Sequence, residues 1–230
     1  MAVGYNPRIV TDGLVLALDA GNTKSYPGSG TTWTDLSGNG NNGTLVNGPT
    51  YSSANGGSIV FDGVNDRTTF SGNNISGLSE LATEFTISVW VKYNSTASYG
   101  AFMTKQTSGA STPGTPRLDL GFLPNDVYLT TYNSSSGVID GGKFSFTINT
   151  SFWYNIVLVC GNSLKRGYIN NTLYYSNNFT STFPTNTHNL GIPRDRPING
   201  NISQVSIYNK ALTASEIQQN YNALKSRFIT

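Results

Sequence analysis

Few side chains in this sequence are placed to do chemistry. Glutamate occurs only at Glu80, Glu84 and Glu216. Retaining glycoside hydrolysis needs two carboxyl groups about 5–5.5 Å apart, a spacing that alternate residues on one face of a strand supply. Glu80 and Glu84 precede a strand-like run, Glu216 opens a helical one, and Asp119 stands alone in "RLDLG". No such pair results. His188, the single histidine, lies in the polar stretch "FPTNTHNLG", and no Gly-x-Ser-x-Gly elbow is present. Cys160, the single cysteine, closes the apolar run "IVLVC" and reads as a core residue. One cysteine makes no intrachain disulfide, and one cysteine with one histidine makes no zinc site. The pattern predicts a protein that is not an enzyme and requires no cofactor.

Two softer kinds of site remain. Calcium takes oxygen ligands from carboxylates, amides and carbonyls in loops, and Asp62, Asn65 and Asp66 in "FDGVNDR" form the local candidate set. The same two aspartates could instead bond the turn's own amides, with Arg67 neutralising Asp66. Aromatic side chains can stack on a sugar or fill a protein interface. Tyr5, Trp90, Tyr128 and Tyr132 are the candidates for a ligand or partner surface. Trp90 sits on the polar face of its strand, facing either out of the core or into a second layer.

Composition narrows the classes. Charged residues make 11% of the 230 residues and the net charge is +2, against about 25% charged in an ordinary soluble domain. Neutral polar residues must therefore cover the surface, and asparagine outnumbers even the 25 glycines. The densest basic cluster, Arg194-Asp195-Arg196, is interrupted by an acid, which argues against nucleic acid as a partner. No run approaches the roughly 18 apolar residues of a membrane span. The opening "MAVGYNPRIV" has no apolar h-region, so no secretory signal is visible. Residues 1–10 read as an arm whose Tyr5, Pro7 and Ile9 could anchor on a partner, and residues 11–230 as one domain.

The elements that would position these residues are strands. In "EFTISVWVKY", Phe85, Ile87, Val89, Val91 and Tyr93 share one face and Thr86, Ser88, Trp90 and Lys92 the other. "GLVLALDA" places Leu14, Leu16 and Leu18 on one face. "SIVFDG", "DVYLTTY", "KFSFTI", "FWYNIVLVC", "GYINNTLYY" and "SQVSIYN" follow, most of them separated by Gly, Asn, Ser or Pro turns. Many short strands without alternating helices predict an all-β, two-sheet antiparallel sandwich. One helix is expected near residues 213–228: Thr213 and Glu216 form a capping box, Leu212 and Ile217 a hydrophobic staple. Ile217, Tyr221, Leu224 and Phe228 recur on one face, which should dock on the sandwich.

The chain resembles the laminin G-like, concanavalin A-like jelly-roll domains. The likeness is carried by "TTWTDLSGNGNNGTLVNGPTY", "GGSIVFDGVNDRTTF", "EFTISVWVKY", "FWYNIVLVC" and "GNISQVSIYNKALTASEIQQNYNALKSRF", in that order. It implies that the Gly/Asn stretch from Asp35 to Tyr51 is an ordered connection, not a linker, anchored by Trp33 and Leu45. Relatives often bind calcium at a sandwich rim and often carry an acidic residue after Gly-x-Ile, where this chain has Ser203. The opening "IVTDGLVLALDAGNTKSYPGSGTTWTDLSG" is also similar to jelly rolls in tailed-phage particle proteins. That likeness implies a non-enzymatic virion structural protein, assembled in the host cytoplasm. It would serve as a capsid decoration, head fibre or tail-associated adhesive module, with other virion proteins as partners and a symmetric homo-oligomer as the state. The alternative is a carbohydrate-binding module that recognises host surface glycans.

Overall fold

The computed structural model describes residues 8–71, 75–78, 82–95, 100–106, 117–123, 125–132, 139–178, 190–192 and 198–229. Two antiparallel sheets of eight strands each face one another. The first contains β1 (Leu14–Asp19), β4 (Thr50–Ser52), β5 (Ser58–Asp62), β7 (Phe85–Tyr93), β12 (Tyr154–Gly161), β13 (Leu164–Ile169), β14 (Thr172–Asn178) and β16 (Asn199–Tyr208). Its order is β14-β13-β12-β7-β16-β5-β4, and β1 also pairs with β16. The second contains β2 (Thr32–Trp33), β3 (Gly43–Val46), β6 (Arg67–Phe70), β8 (Gly100–Gln106), β9 (Arg117–Leu123), β10 (Asp126–Tyr132), β11 (Ile139–Ser145) and β15 (Leu190–Ile192). Its order is β11-β10-β9-β8-β15-β6-β3-β2. The all-β sandwich read from the sequence is the fold observed.

Strand alternation builds the core between the sheets. Phe85, Ile87, Val89, Val91 and Tyr93 of β7 all face it, as do Leu16 and Leu18 of β1 and the thiol-bearing Cys160. Leu14 departs from the expected pattern. The register of β1 against β16 shifts between Leu14 and Leu16, and a bulge of this kind redirects a side chain. Leu14 consequently packs on the opposite side of the sheet, in the cluster of Val10, Val157, Val159, Tyr208 and Ile217. "GYINNTLYY" is two strands, not one. Asn170 and Asn171 both adopt positive φ, 48° and 66°, the conformation of a two-residue hairpin turn that asparagine tolerates.

The helix α1 (Ala214–Leu224) covers the outer face of the first sheet. Its capping box is formed as expected: Glu216 N donates to Thr213 Oγ1 at 3.3 Å and Thr213 N to Glu216 Oε2 at 2.8 Å. Eleven residues are too few for a helix to persist alone in water, so docking stabilises it. The regular helix ends at Leu224, and a 3-10 turn, Lys225–Arg227, carries the chain to Phe228. Because α1 and this turn lie on it, the outer face of β7 is dry as well: Thr86, Ser88 and Trp90 are buried beside their inward neighbours. The buried polar groups there are paired. Thr86 Oγ1 donates to Lys210 O at 2.9 Å and accepts from Leu212 N at 3.0 Å. Asn155 Nδ2 donates to Ser88 Oγ at 3.1 Å.

The chain leading into β1 is tied to the same helix. Val10 N donates to Asn220 Oδ1 at 2.7 Å, Tyr208 Oη donates to Val10 O at 3.1 Å, and Gln219 Nε2 donates to Arg8 O at 2.8 Å. Val10 thus belongs to the domain's own core, and Arg8 is tied to the helix through its carbonyl; Tyr5 lies outside the described residues.

Candidate functional site

The Gly/Asn stretch after Trp33 is an ordered turn organised by one carboxylate. Asp35 is buried, and its Oδ1 accepts from Ala17 N and Ser37 N, each at 2.9 Å. Its Oδ2 accepts from Ser37 Oγ at 2.7 Å and from Asn41 N at 3.0 Å. Asn42 Oδ1 accepts from Asp35 N at 2.9 Å. Asn41 Nδ2 reaches Val15 O at 2.7 Å and Ser76 O at 2.9 Å. Trp33 is fully buried and Leu45 nearly so, as the two anchors should be. The turn spends these polar atoms on its own backbone, on β1 and on Ser76.

The expected oxygen set for calcium is similarly occupied. Asp62 Oδ1 accepts from Val64 N at 2.8 Å, Asp66 Oδ2 from Asp62 N at 3.1 Å, and Asn65 O from Asn47 Nδ2 at 2.8 Å. Asp66 is 3% exposed. Burial raises its pKa above the usual carboxylate range and the Asp62 charge adds to the rise, against the backbone hydrogen bond from Asp62. One oxygen of each aspartate thus bonds the turn's own amides. Among the described residues, no group of three or more His, Cys, Asp or Glu could hold a metal. Ser203, where relatives often have an acid, is buried and donates to Gly57 O at 2.6 Å.

The aromatic candidates are not brought together. Trp90 must be corrected as a ligand residue: it is fully buried, stacked 4.3 Å from Phe228 and 5.6 Å from Tyr221. The second layer on the sheet consumes it. Tyr128 is half-buried on β10, with Lys143 Nζ 5.6 Å from its ring centre and held at 2.7 Å by Asp126. Tyr132 ends the same strand. His188 and Tyr5 lie outside the described residues.

The outer face of the first sheet holds a cleft of about 400 Å³ that the sequence did not single out. Phe152, Trp153, Tyr154 and Phe228 line it with aromatic surface, and Asn55, Lys92, Ser151 and Asn170 contribute polar groups. Phe152 is 60% exposed and Ile229, also in the lining, 48%. A short turn presents Phe152: Asn149 Oδ1 accepts from Ser151 N at 2.9 Å and Asn149 O from Phe152 N at 3.1 Å. Asn170 stands in the β13–β14 turn, fixed by its Oδ1 accepting from Asn155 N at 2.9 Å. Asn55 has a positive φ of 52° in the 3-10 turn Ala54–Gly56.

The Phe228 wall is latched from behind. Arg227 Nη1 donates to both Asp19 oxygens, at 2.9 and 3.0 Å, and Nη2 to Ser203 Oγ at 2.9 Å. Such a two-pronged, charge-assisted contact fixes orientation as well as position. A Cβ on Gly21 would collide with the Arg227 guanidinium and the Gly56 carbonyl. Phe228 then stacks on Trp90 and lies 4.9 Å from Trp153.

The polar groups of the cleft differ from those of the turns. Lys92, Ser151 and Asn55 side chains, and Asn170 Nδ2, have no hydrogen-bond or ion-pair partner among the described residues. Trp153 Nε1 is buried without an acceptor, a condition it shares with Trp33 Nε1 at the head of the Asp35 turn. Tyr154 Oη is the exception, engaged by Asn149 N at 3.0 Å. Among the described residues, no carboxylate side chain lines the cleft. The signals that could have found it were modest: two consecutive aromatics, Phe152-Trp153, of which one had to face outward, and a lysine on the covered face of β7.

The family profile of the concanavalin A-like lectin/glucanases superfamily (Laminin_G_3) matches residues 62–218. The chain belongs to this family. No curated protein matches the sequence. Among solved structures, domain 4 of AbnA, an extracellular GH43 arabinanase from Geobacillus stearothermophilus solved with arabinotriose, superposes with a TM-score of 0.68. The identity is 20%, over 91% of this chain and 98% of that one. The binding domain of Paraclostridial Mosquitocidal Protein 1 gives a TM-score of 0.71 at 18% identity, over 93% of this chain and 52% of that one. Trypanosoma rangeli sialidase in complex with sialic acid gives 0.69 at 15% identity, over 99% of this chain and 37% of that one. The chain thus spans nearly all of the arabinanase domain, about half of the toxin chain and little more than a third of the sialidase chain. At these identities the likeness is one of fold.

Proposed function

We propose that this protein is a non-enzymatic carbohydrate-binding domain and that the cleft beside Phe152 receives the glycan. The observation that carries the reading is the combination found there: an exposed aromatic ring, unpartnered amide and hydroxyl groups, and no carboxylate in the lining. A sugar offers an apolar ring face for the first and a rim of hydroxyls for the second, and without a carboxylate pair the cleft binds but does not hydrolyse. Membership of a lectin and glucanase superfamily supports the lectin side of that choice, as does the likeness to binding domains of other proteins. Carried on a phage particle, the same domain would be an adhesive surface for host glycans; the resemblance of the opening sequence supports that setting.

The test is a glycan array probed with the full chain and with Phe152→Ala. The reading expects saturable binding to a subset of oligosaccharides, lost or weakened in the variant. No binding across the array would refute it, as would equal binding by both proteins. Incubation with each bound glycan should leave it intact.

A further inference from the structure

We infer that the cleft selects acidic sugars, with Lys92 as the group that receives the sugar carboxylate. This inference rests on the carbohydrate-binding reading of the same cleft. Alternation along β7 sends Trp90 and Lys92 to the outer face, two residues and so about 6.6 Å apart. Trp90 is sealed under Phe228, whereas Lys92 emerges half-buried into the cleft. Its ammonium has no ion-pair partner among the described residues. Lys143 is paired with Asp126, Lys210 with Asp12 and Glu216, and Arg227 with Asp19. Lys24 and Arg166 also lack an ion pair among the described residues, but Lys92 differs from them in lining the cleft among aromatic walls.

The remaining lining complements a carboxylate. An ionised carboxylate only accepts hydrogen bonds and has room for about four. Lys92 Nζ, Asn170 Nδ2 and Ser151 Oγ are donors without partners in the cleft. Among the described lining residues, no carboxylate side chain opposes the Lys92 charge. A neutral sugar would leave the ammonium to water, whereas a uronic or sialic acid would make a charge-assisted bond to it. The exposed Phe152 ring favours a sugar over an acidic peptide, because it offers a flat apolar face beside the charge.

The experiment titrates the full chain, by calorimetry, with uronate- and sialate-bearing oligosaccharides. Each is paired with its carboxyl-reduced neutral counterpart, and a glutamate-rich peptide is included. The inference expects each acidic glycan that binds to do so roughly tenfold more tightly than its reduced form. The preference should weaken at high salt, and Lys92→Gln should bring the ratio close to one while Lys92→Arg keeps it. Equal affinity for acidic and reduced glycans, or a preference that survives Lys92→Gln, would overturn the inference and leave carbohydrate binding intact. Binding of the peptide as tight as that of any glycan would overturn it in favour of a protein partner. Binding of no glycan would overturn both readings.

Discussion

The turn around Asp35 and the cleft beside Phe152 are built from the same residue types, asparagine, serine and aromatics, and use them in opposite ways. In the turn, the Asp35 oxygens and the Asn41 and Asn42 amides meet backbone groups of the turn itself and of β1. In the cleft, Asn55, Ser151, Asn170 Nδ2 and Lys92 point at nothing within the described residues. Buried polar groups are costly unless hydrogen-bonded, so the first arrangement is what folding requires of a buried segment. The second is tolerated only where solvent or a ligand serves the groups. Composition therefore does not distinguish the two regions, whereas their hydrogen bonding does.

Variants that open the closed region should cost stability, and variants in the open one should cost binding alone. The largest effect is expected for Asp35→Ala, which removes four hydrogen bonds from a buried charged acceptor. A loss of about 3 kcal/mol, and a fall in Tm of roughly 6–12 °C by calorimetry, is expected. A change under about 1 °C would mean that the turn does not organise the sandwich. Arg227→Met lies on the boundary between the two regions, because the Asp19 latch holds the Phe228 wall. It should cost about 2 kcal/mol and also weaken glycan binding. Full binding by this variant would show that the wall does not depend on the latch.

Tyr208 extends the comparison to the helix interface. Burial pushes its pKa up to about 12, against Asn220, whose hydrogen bond pulls it down. Between pH 10 and 12 the folded state therefore keeps a proton that the unfolded chain loses, so stability falls as pH rises through that window. Denaturant melts should show a loss of about 1 kcal/mol by pH 11, and Tyr208→Phe should remove this component of the slope. An unchanged slope in that variant would assign the alkaline loss to other groups. The smallest stability effect belongs to Phe152→Ala, since the ring is 60% exposed. Its stability should stay within about 0.5 kcal/mol of the parent, while glycan affinity drops roughly fivefold or more. A destabilised variant with intact binding would reverse the distinction drawn between the two regions.

The fold was legible because its signals are local and periodic. The alternation in β7 and the Thr213 and Glu216 box follow from spacing along the chain, whereas the bulge in β1 that turns Leu14 away from Leu16 and Leu18 leaves no such signal. The cleft was not legible, because its walls come from residues far apart in sequence: Asn55, Lys92, Phe152, Asn170 and Phe228 meet only after the first sheet and the C-terminal turn assemble. Trp90 shows the same limit from the other side. Alternation placed it on the polar face, but only the docking of Phe228 and Tyr221 reveals that this face is covered. Asp62 and Asp66 resemble metal ligands in type, and only their hydrogen-bond partners show that the turn uses them itself.

The most direct test of cleft binding is an NMR titration of the labelled full chain with a glycan that it binds. The Trp153 indole N–H and the side-chain amides of Asn55 and Asn170 should shift together and saturate, while Asn41 and Asn42 in the closed turn stay fixed. Shifts confined to β10 and β11, around Tyr128 and Lys143, would place the glycan on the other sheet and contradict the assignment of this cleft.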